Sequence, residues 1–163
     1  MIQTTRCKLT TLLSTDWDLV VKIYINAEVR RFLGGVVDSQ TIRLRFQKML
    51  KSNTERQHWV IRVEENSFIT GIGIVSLGLH HNNIDTEISY QLLPEWWHKG
   101  YGTEAAQAVV NYALTVLGLS RVIAETQIDN IASCQLLERI GMHLEGTIER
   151  FGAKQGIFTI TQK

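Results

Sequence analysis

Hydrophobic and polar positions follow two rhythms along this chain, and each change of rhythm marks an element. Lys8 to Leu12 reads as a short first strand. After it, Ser14 or Asp16 can cap a helix that carries Leu19, Val20, Ile23 and Ala27 at helical spacing, and Gly34 and Gly35 end that region. Ser39 caps a second helix through about Leu50, with Ile42, Phe46, Met49 and Leu50 on one face and Arg43, Arg45, Gln47 and Lys48 mostly outside. Three strands follow, His58 to Val63, Ile69 to Leu77 and Asp85 to Leu92, joined by short polar links that make antiparallel hairpins.

From Glu87 to Ala105 the chain reads EISYQLLPEWWHKGYGTEA, and between Pro94 and Thr103 the period changes from two to 3.6. The helix that opens there carries Ala105, Ala106, Val109, Val110, Ala113, Val116 and Leu117 on one face and stops at Gly118. Val122 to Thr126 is the next strand, Asn130 to Ile140 a helix ended by Gly141, and Met142 to Glu149 with Gly156 to Thr161 a closing pair of strands. The sum is a mixed α/β domain over residues 1–163: a twisted, mostly antiparallel sheet of about seven strands with helices on both faces. The Asp85 and Val122 strands, fourth and fifth in order, flank a crossover helix and are expected to be parallel neighbours. Pro94 sits where they would splay, so a cleft is expected beside Leu92 and Leu93.

The charge narrows the ligands. With 17 basic and 16 acidic residues the formal net charge is +1, which gives no global field for nucleic acid or an anionic membrane, so a charged ligand must be held locally. The N-terminal MIQTTRCKLTTLL lacks an h-region of signal-peptide length and no apolar run is long enough to span a bilayer, so a cytoplasmic protein is expected. Cys7 and Cys134 are isolated, with no CxxC and no nearby His cluster, and support neither a zinc site nor a disulfide framework. The local holder of charge is the turn containing Gly100 and Gly102, where bare backbone N–H groups at a helix N-terminus suit a phosphate. A P-loop does not fit, because no Gly-Lys-Ser/Thr follows a buried parallel strand.

The block from Glu87 to Ala105, together with Asn130-Ile-Ala-Ser-Cys-Gln-Leu-Leu-Glu-Arg-Ile-Gly-Met, resembles the GCN5-related N-acetyltransferase (GNAT) family, near its Rim-like ribosomal-protein N-terminal acetyltransferase subgroup. The first block is similar to the family's splayed strand and coenzyme A pyrophosphate loop, the second to its Asn-x-x-Ser helix. Trp97 stands where Gln or Arg is usual, as is common in the Rim-like subgroup, and His98 where Gly often stands.

The resemblance implies an enzyme that transfers acetyl from acetyl-CoA, without a metal, to a primary amine by direct attack in a ternary complex. Backbone N–H groups from His98 through Lys99, Gly100, Tyr101, Gly102 and Thr103 would then face the pyrophosphate, and Asn130 and Ser133 would lie along the pantetheine. An inward N–H near Leu92 would bind the acetyl carbonyl, with Leu93 beside it. Glu87 is the candidate base or water-ordering group, with Asp85 the weaker alternative, provided that no bulge turns Glu87 to the wrong face. Where many members carry a Tyr acid this chain has Leu137, so Ser133 is the candidate hydrogen-bond partner of the departing thiolate.

A ping-pong route through Cys134 is disfavoured, since it lies about 100° around the helix from Ser133 and has no basic neighbour. His80 and His81 read as a loop pair with a solvated or acceptor-gating role. The acceptor, a protein N-terminus or a small amine, falls to Asp16 to Leu50 and the terminal hairpin, where Glu28, Asp38, Glu145 and Glu149 could meet a cation. A short last strand would leave room for a second subunit and hence a homodimer. The alternative of another class is a non-catalytic acyl-CoA-binding or sensor domain that lost its acid at Leu137.

Overall fold

The structure is a computed structural model that describes residues 1–51 and 56–162. Eight strands form one sheet: β1 (Ile2–Gln3), β2 (Cys7–Thr11), β3 (Arg56–Glu65), β4 (Phe68–Leu79), β5 (Thr86–Leu92), β6 (Arg121–Gln127), β7 (His143–Arg150) and β8 (Ala153–Thr161), in the order β1-β2-β3-β4-β5-β6-β8-β7. The helices are α1 (Trp17–Ile25), α2 (Ala27–Arg30), α3 (Ser39–Leu50), α4 (Tyr101–Thr115) and α5 (Ile131–Arg139). Among the described residues every strand pair is antiparallel except β5 and β6, which run parallel and meet in register only at Glu87 and Ile123. The parallel pair parts where Pro94 had placed the splay, and the two-residue β1 adds an eighth strand at one edge.

Alternation along β5 sorts its side chains to the two faces of the sheet. Ile88 and Leu92 pack against Ala105, Ala106, Val109 and Val110 of α4 and Leu137 of α5. Leu93 falls on the other face, in a second core with Val20, Ile23, Tyr24, Ile42, Phe46 and Ile74 under α1 and α3. Each fully buried Leu, Ile or Val in these layers contributes ~1.5–3 kcal/mol relative to exposure, which is why the two long apolar periodicities decide the fold.

Three expectations change. The first helix is two helices, because Asn26 leaves helical geometry (φ −80°, ψ 116°) and its side chain accepts hydrogen bonds from Glu28 N and Val29 N as the cap of α2. Such a cap is worth ~1 kcal/mol, enough to interrupt a marginal helix between Ile25 and Ala27. Asp38, rather than Ser39, caps α3 through Thr41 N. The last strand is not short: β8 begins at Ala153, pairs with β6 on one side and β7 on the other, and needs no strand from a second subunit.

Candidate functional site

The gap between β5 and β6 is built by one hydrogen bond and one proline. Leu93 N donates to Ile72 O at 2.9 Å, so the amides of Gln91 and Leu93 face β4. Alternation then turns the backbone of Tyr90 and Leu92 toward β6, beyond the Glu87/Ile123 pair where the strands have parted. Trp97 Nε1 donates to Leu92 O at 2.8 Å, which leaves the Leu92 N–H as the group that faces the gap. Pro94 opens a 3-10 turn and cannot continue the ladder.

A cleft of about 630 Å³ runs through this gap. On one face it is lined by His98, Gly100, Gly102 and Thr103 at the start of α4 and by Asn130, Ser133 and Leu137 of α5 and its cap; on the other by Glu28, Phe32 and Leu33. Gly100 precedes α4 at φ +84°, a conformation that side chains disfavour, and a Cβ on Gly102 would stand 3.2 Å from Leu136 and 3.6 Å from Leu92. Gly102 and Thr103, in the first turn of α4 where amides have no partner within the helix, therefore line the cleft beside a close-packed strand. Arg6 fixes this turn from outside, donating to Glu104 Oε2 at 2.7 Å and to Lys99 O at 2.9 Å.

Of the residues that the sequence nominates, Leu92, His98, Gly100, Gly102, Thr103, Asn130 and Ser133 line the cleft together. The side chains of Lys99 and Tyr101 are taken up elsewhere. Lys99 Nζ lies 4.9 Å over the Trp96 ring, and Tyr101 packs edge-on to Trp96 beneath Arg6. Leu93 is also not brought to the cleft: its N–H is used by Ile72 and its side chain is buried in the opposite core. Asn130 caps α5, its Oδ1 accepting from Ser133 N at 3.2 Å.

Tyr90 is the residue that sequence reasoning missed. Its hydroxyl lies 2.9 Å from Ser133 Oγ across the cleft, and burial pushes its phenol up to about 12 against the opposing pull of that hydrogen bond. The available signal was its even spacing from Leu92 on one strand, which puts both on the face toward α5. Cys134 turns away, its thiol 3.8 Å from the carbonyls of Gln127 and Ile128, and burial raises its pKa, the opposite of an activated nucleophile.

Glu87 faces the other side of the sheet, the side of α1 and α3, in register with Gly78 and Ile123. Burial pushes its carboxyl above the usual range, with His80 pulling the other way. His80 is not a solvated loop residue. It is 4% exposed, its amide closes the β4–β5 turn on Asp85 O, and its Nε2 lies 2.6 Å from Glu125 Oε2. Glu125 lines the cleft and carries a second partner, Arg150 Nε, at 3.0 Å. Asp85 is drawn instead to Arg121, whose Nε is 2.8 Å away, and Arg121 also holds Glu145. Of the four acceptor-side carboxylates considered, Glu28 alone lines the cleft; Asp38 is a helix cap and Glu149 stands opposite Lys154 in the β7–β8 register. Among the described residues no group of three or more His, Cys, Asp or Glu could hold a metal ion, and no helix is long and apolar enough to cross a membrane.

Comparison with known proteins agrees with this geometry. Residues 6–143 match the family model described as acetyltransferase (GNAT) domain. An uncharacterized N-acetyltransferase, YoaA, of Bacillus subtilis is 27% identical over 161 residues, covering 96% of this chain and 90% of its own. A second from the same organism, YnaD, is 28% identical over 136 residues, covering 83% of this chain and 78% of its own. Among solved structures, an acetyltransferase (GNAT family) from Bacillus anthracis superposes with a TM-score of 0.84 at 23% identity, covering 98% of this chain and 97% of its own. Spermidine N-acetyltransferase from Vibrio cholerae, in complex with CoA and spermine, does so with a TM-score of 0.81 at 18% identity, covering 97% and 96%. The chain belongs to the GNAT acetyltransferase family, and its acetyl donor is acetyl-CoA.

Proposed function

We propose that this protein transfers acetyl from acetyl-CoA to a primary amine by direct attack in a ternary complex. The observation that carries this reading is the β5/β6 gap, where the Leu92 N–H faces a cleft shared by the α4 N-terminus and the opposite face of the sheet. In this reading the pyrophosphate lies against the first-turn amides of α4, where the helix dipole and unpaired N–H groups favour negative charge. Asn130 reaches toward the pantetheine, and Leu92 N–H polarises the acetyl carbonyl and stabilises the charge that develops on its oxygen.

The amine enters from the face of Glu87. An alkylammonium has a pKa near ~10.4, so it must lose a proton before attack, and a carboxyl with a raised pKa is a better base than an ordinary one. Glu87 takes that proton directly or through water; the free amine attacks, the C–N bond forms, the second proton on nitrogen leaves to solvent through water as the tetrahedral intermediate collapses, the C–S bond breaks, and its electron pair leaves on sulfur. Ser133, held by Tyr90, donates a hydrogen bond to the thiolate. Full transfer from Tyr90 is unfavourable, because a phenol near 12 would protonate a thiolate whose conjugate acid is near ~8.5. The proton on the product thiol therefore comes from solvent. Trp97 and the Ser133 hydroxyl are shared with the Rim-like subgroup, but both lie on the donor side of the cleft and do not choose between a protein N-terminus and a small amine as acceptor.

Free-thiol release from acetyl-CoA with a panel of amines and peptides tests the activity. Tight coenzyme binding with no acceptor-dependent release across that panel would instead favour a sensor. Gly102→Asp places a carboxylate at the phosphates and beside Leu136, and acetyl-CoA binding by titration calorimetry should be lost. Unchanged affinity in that variant would remove the cradle.

A further inference from the structure

A second cavity, of about 420 Å³, opens on the acceptor face next to the cleft, and Ser89 and Gln91 line both. Its rim is cationic: Arg45 and Lys48 of α3 and Lys51 just after it, while Arg56, at the start of β3, stands in register with Gly78 and Glu87 and acts on the Glu87 carboxyl. No carboxylate is among its described lining residues. The floor is polar and uncharged. His58 Nδ1 lies 2.7 Å from Ser76 Oγ, and burial lowers the imidazole to about 4, so it stays neutral near pH 7.

A deeper cation adds to this field. Arg30 is 7% exposed and donates to the carbonyls of Gly35 and Leu33 and, at 3.4 Å, to Gln91 Oε1. No carboxylate lies within ion-pair distance of it among the described residues. Buried guanidinium groups are normally paired with an anion, so Arg30 leaves uncompensated positive charge behind Gln91, at the junction of the two cavities. Glu87, on the same face of β5 and two residues before Ser89, is the nearest carboxylate along the strand. One end of the acceptor face thus attracts an ammonium and the other an anion.

We propose that the acceptor is a small amine that also carries a carboxylate or a phosphate, with its amine at the Ser89/Gln91 junction and its anionic end in the basic cavity. The inference rests on the acetyltransferase reading above and sharpens it. A polyamine would instead place an ammonium among Arg45, Lys48 and Lys51.

The test is kcat/KM at saturating acetyl-CoA for matched amines: O-phosphoethanolamine against ethanolamine, glutamate against its diamide, and spermidine. Preference for the charged member of a pair should be about tenfold or more, and should shrink as ionic strength rises from ~0.05 to ~0.5 M. The two pairs separate phosphate from carboxylate as the favoured anion. Arg45→Gln with Lys48→Gln should reduce the preference to less than about threefold, while the rise in Tm on adding acetyl-CoA reports that the variant is folded. Equal or better turnover of ethanolamine, the diamide or spermidine overturns the inference and leaves the acetyltransferase reading intact. If no amine turns over, calorimetry of O-phosphoethanolamine and ethanolamine on the acetyl-CoA-loaded protein decides, and equal binding overturns it. If acetyl-CoA itself neither binds nor raises Tm, the acetyltransferase reading falls and the inference with it.

Discussion

At the scale of single residues, the proposed chemistry of the donor side turns on the 2.9 Å contact between Tyr90 and Ser133. Because the phenol does not readily give up its proton, the proposed mechanism has it hold the serine hydroxyl toward the sulfur. Tyr90→Phe and Ser133→Ala should therefore each lower kcat, by about tenfold or more, with KM for acetyl-CoA within about twofold. The double variant should be no slower than the slower single one, since the two groups act as a unit. Additive losses would show that they work separately. His58 makes a prediction of a different kind. Its folded pKa, about 4, lies below the ordinary 6.5, so the unfolded chain takes up the proton first as the pH falls. Its contribution is fully present above ~6.5 and is lost between there and about 4, a change on the order of 3 kcal/mol. His58→Gln keeps a partner for Ser76 without a titrating ring, and its Tm should fall less steeply over that window than the parent's in calorimetric scans. Parallel acid limbs would assign the loss to other groups.

At the scale of elements, the proposed cradle is braced by a tie between the chain's first turn and α4. Glu104 accepts from Thr4 Oγ1 at 2.6 Å, from Arg6 N at 2.7 Å and from Arg6 Nε at 2.7 Å, while Arg6 reaches on to Lys99 O. Glu104→Ala removes these acceptors and frees the turn that carries Gly100 and Gly102. Acetyl-CoA affinity should drop about tenfold, the size expected for one or two net hydrogen bonds, as read by calorimetry. An unchanged Kd would mean that the α4 N-terminus holds its shape alone. Nothing along the sequence announces this tie, because its partners are 98 residues apart and each reads locally as a surface charge. The elements themselves were legible wherever periodicity was sustained: α4 from its long apolar face, β5 from alternation, and their junction from Pro94, Gly100 and Gly102. Legibility failed where a local polar group or a distant partner decides. Asn26 splits a helix whose apolar spacing runs on to Ala27, and His80 leaves the loop class only because Glu125 of β6 waits for it. The face of Glu87 was likewise open until register fixed it. Pairing with Gly78 turns it away from Tyr90 and Leu92, toward the face of α1 and α3.

At the scale of the whole molecule, a sheet that parts between two parallel strands has an opening connecting its faces. Here the elements proposed to hold the donor, the start of α4 and α5, lie on one face, and Glu87, Glu125 and Glu28 stand on or toward the other. Donor and acceptor therefore need not share an entrance, and neither has to leave before the other binds. The thiol of Cys134, turned toward backbone carbonyls with its pKa raised, offers no stopping point for the acetyl group. Initial rates measured against both substrates should give intersecting double-reciprocal lines, and Cys134→Ala should keep that pattern. Product CoA should compete with acetyl-CoA, because both occupy the α4 side, but should not compete with the amine, which approaches from the Glu87 side. Parallel lines would require an acetylated enzyme and would sink direct transfer. Competition between CoA and the amine would place both on one face, against the division that the β5/β6 gap imposes.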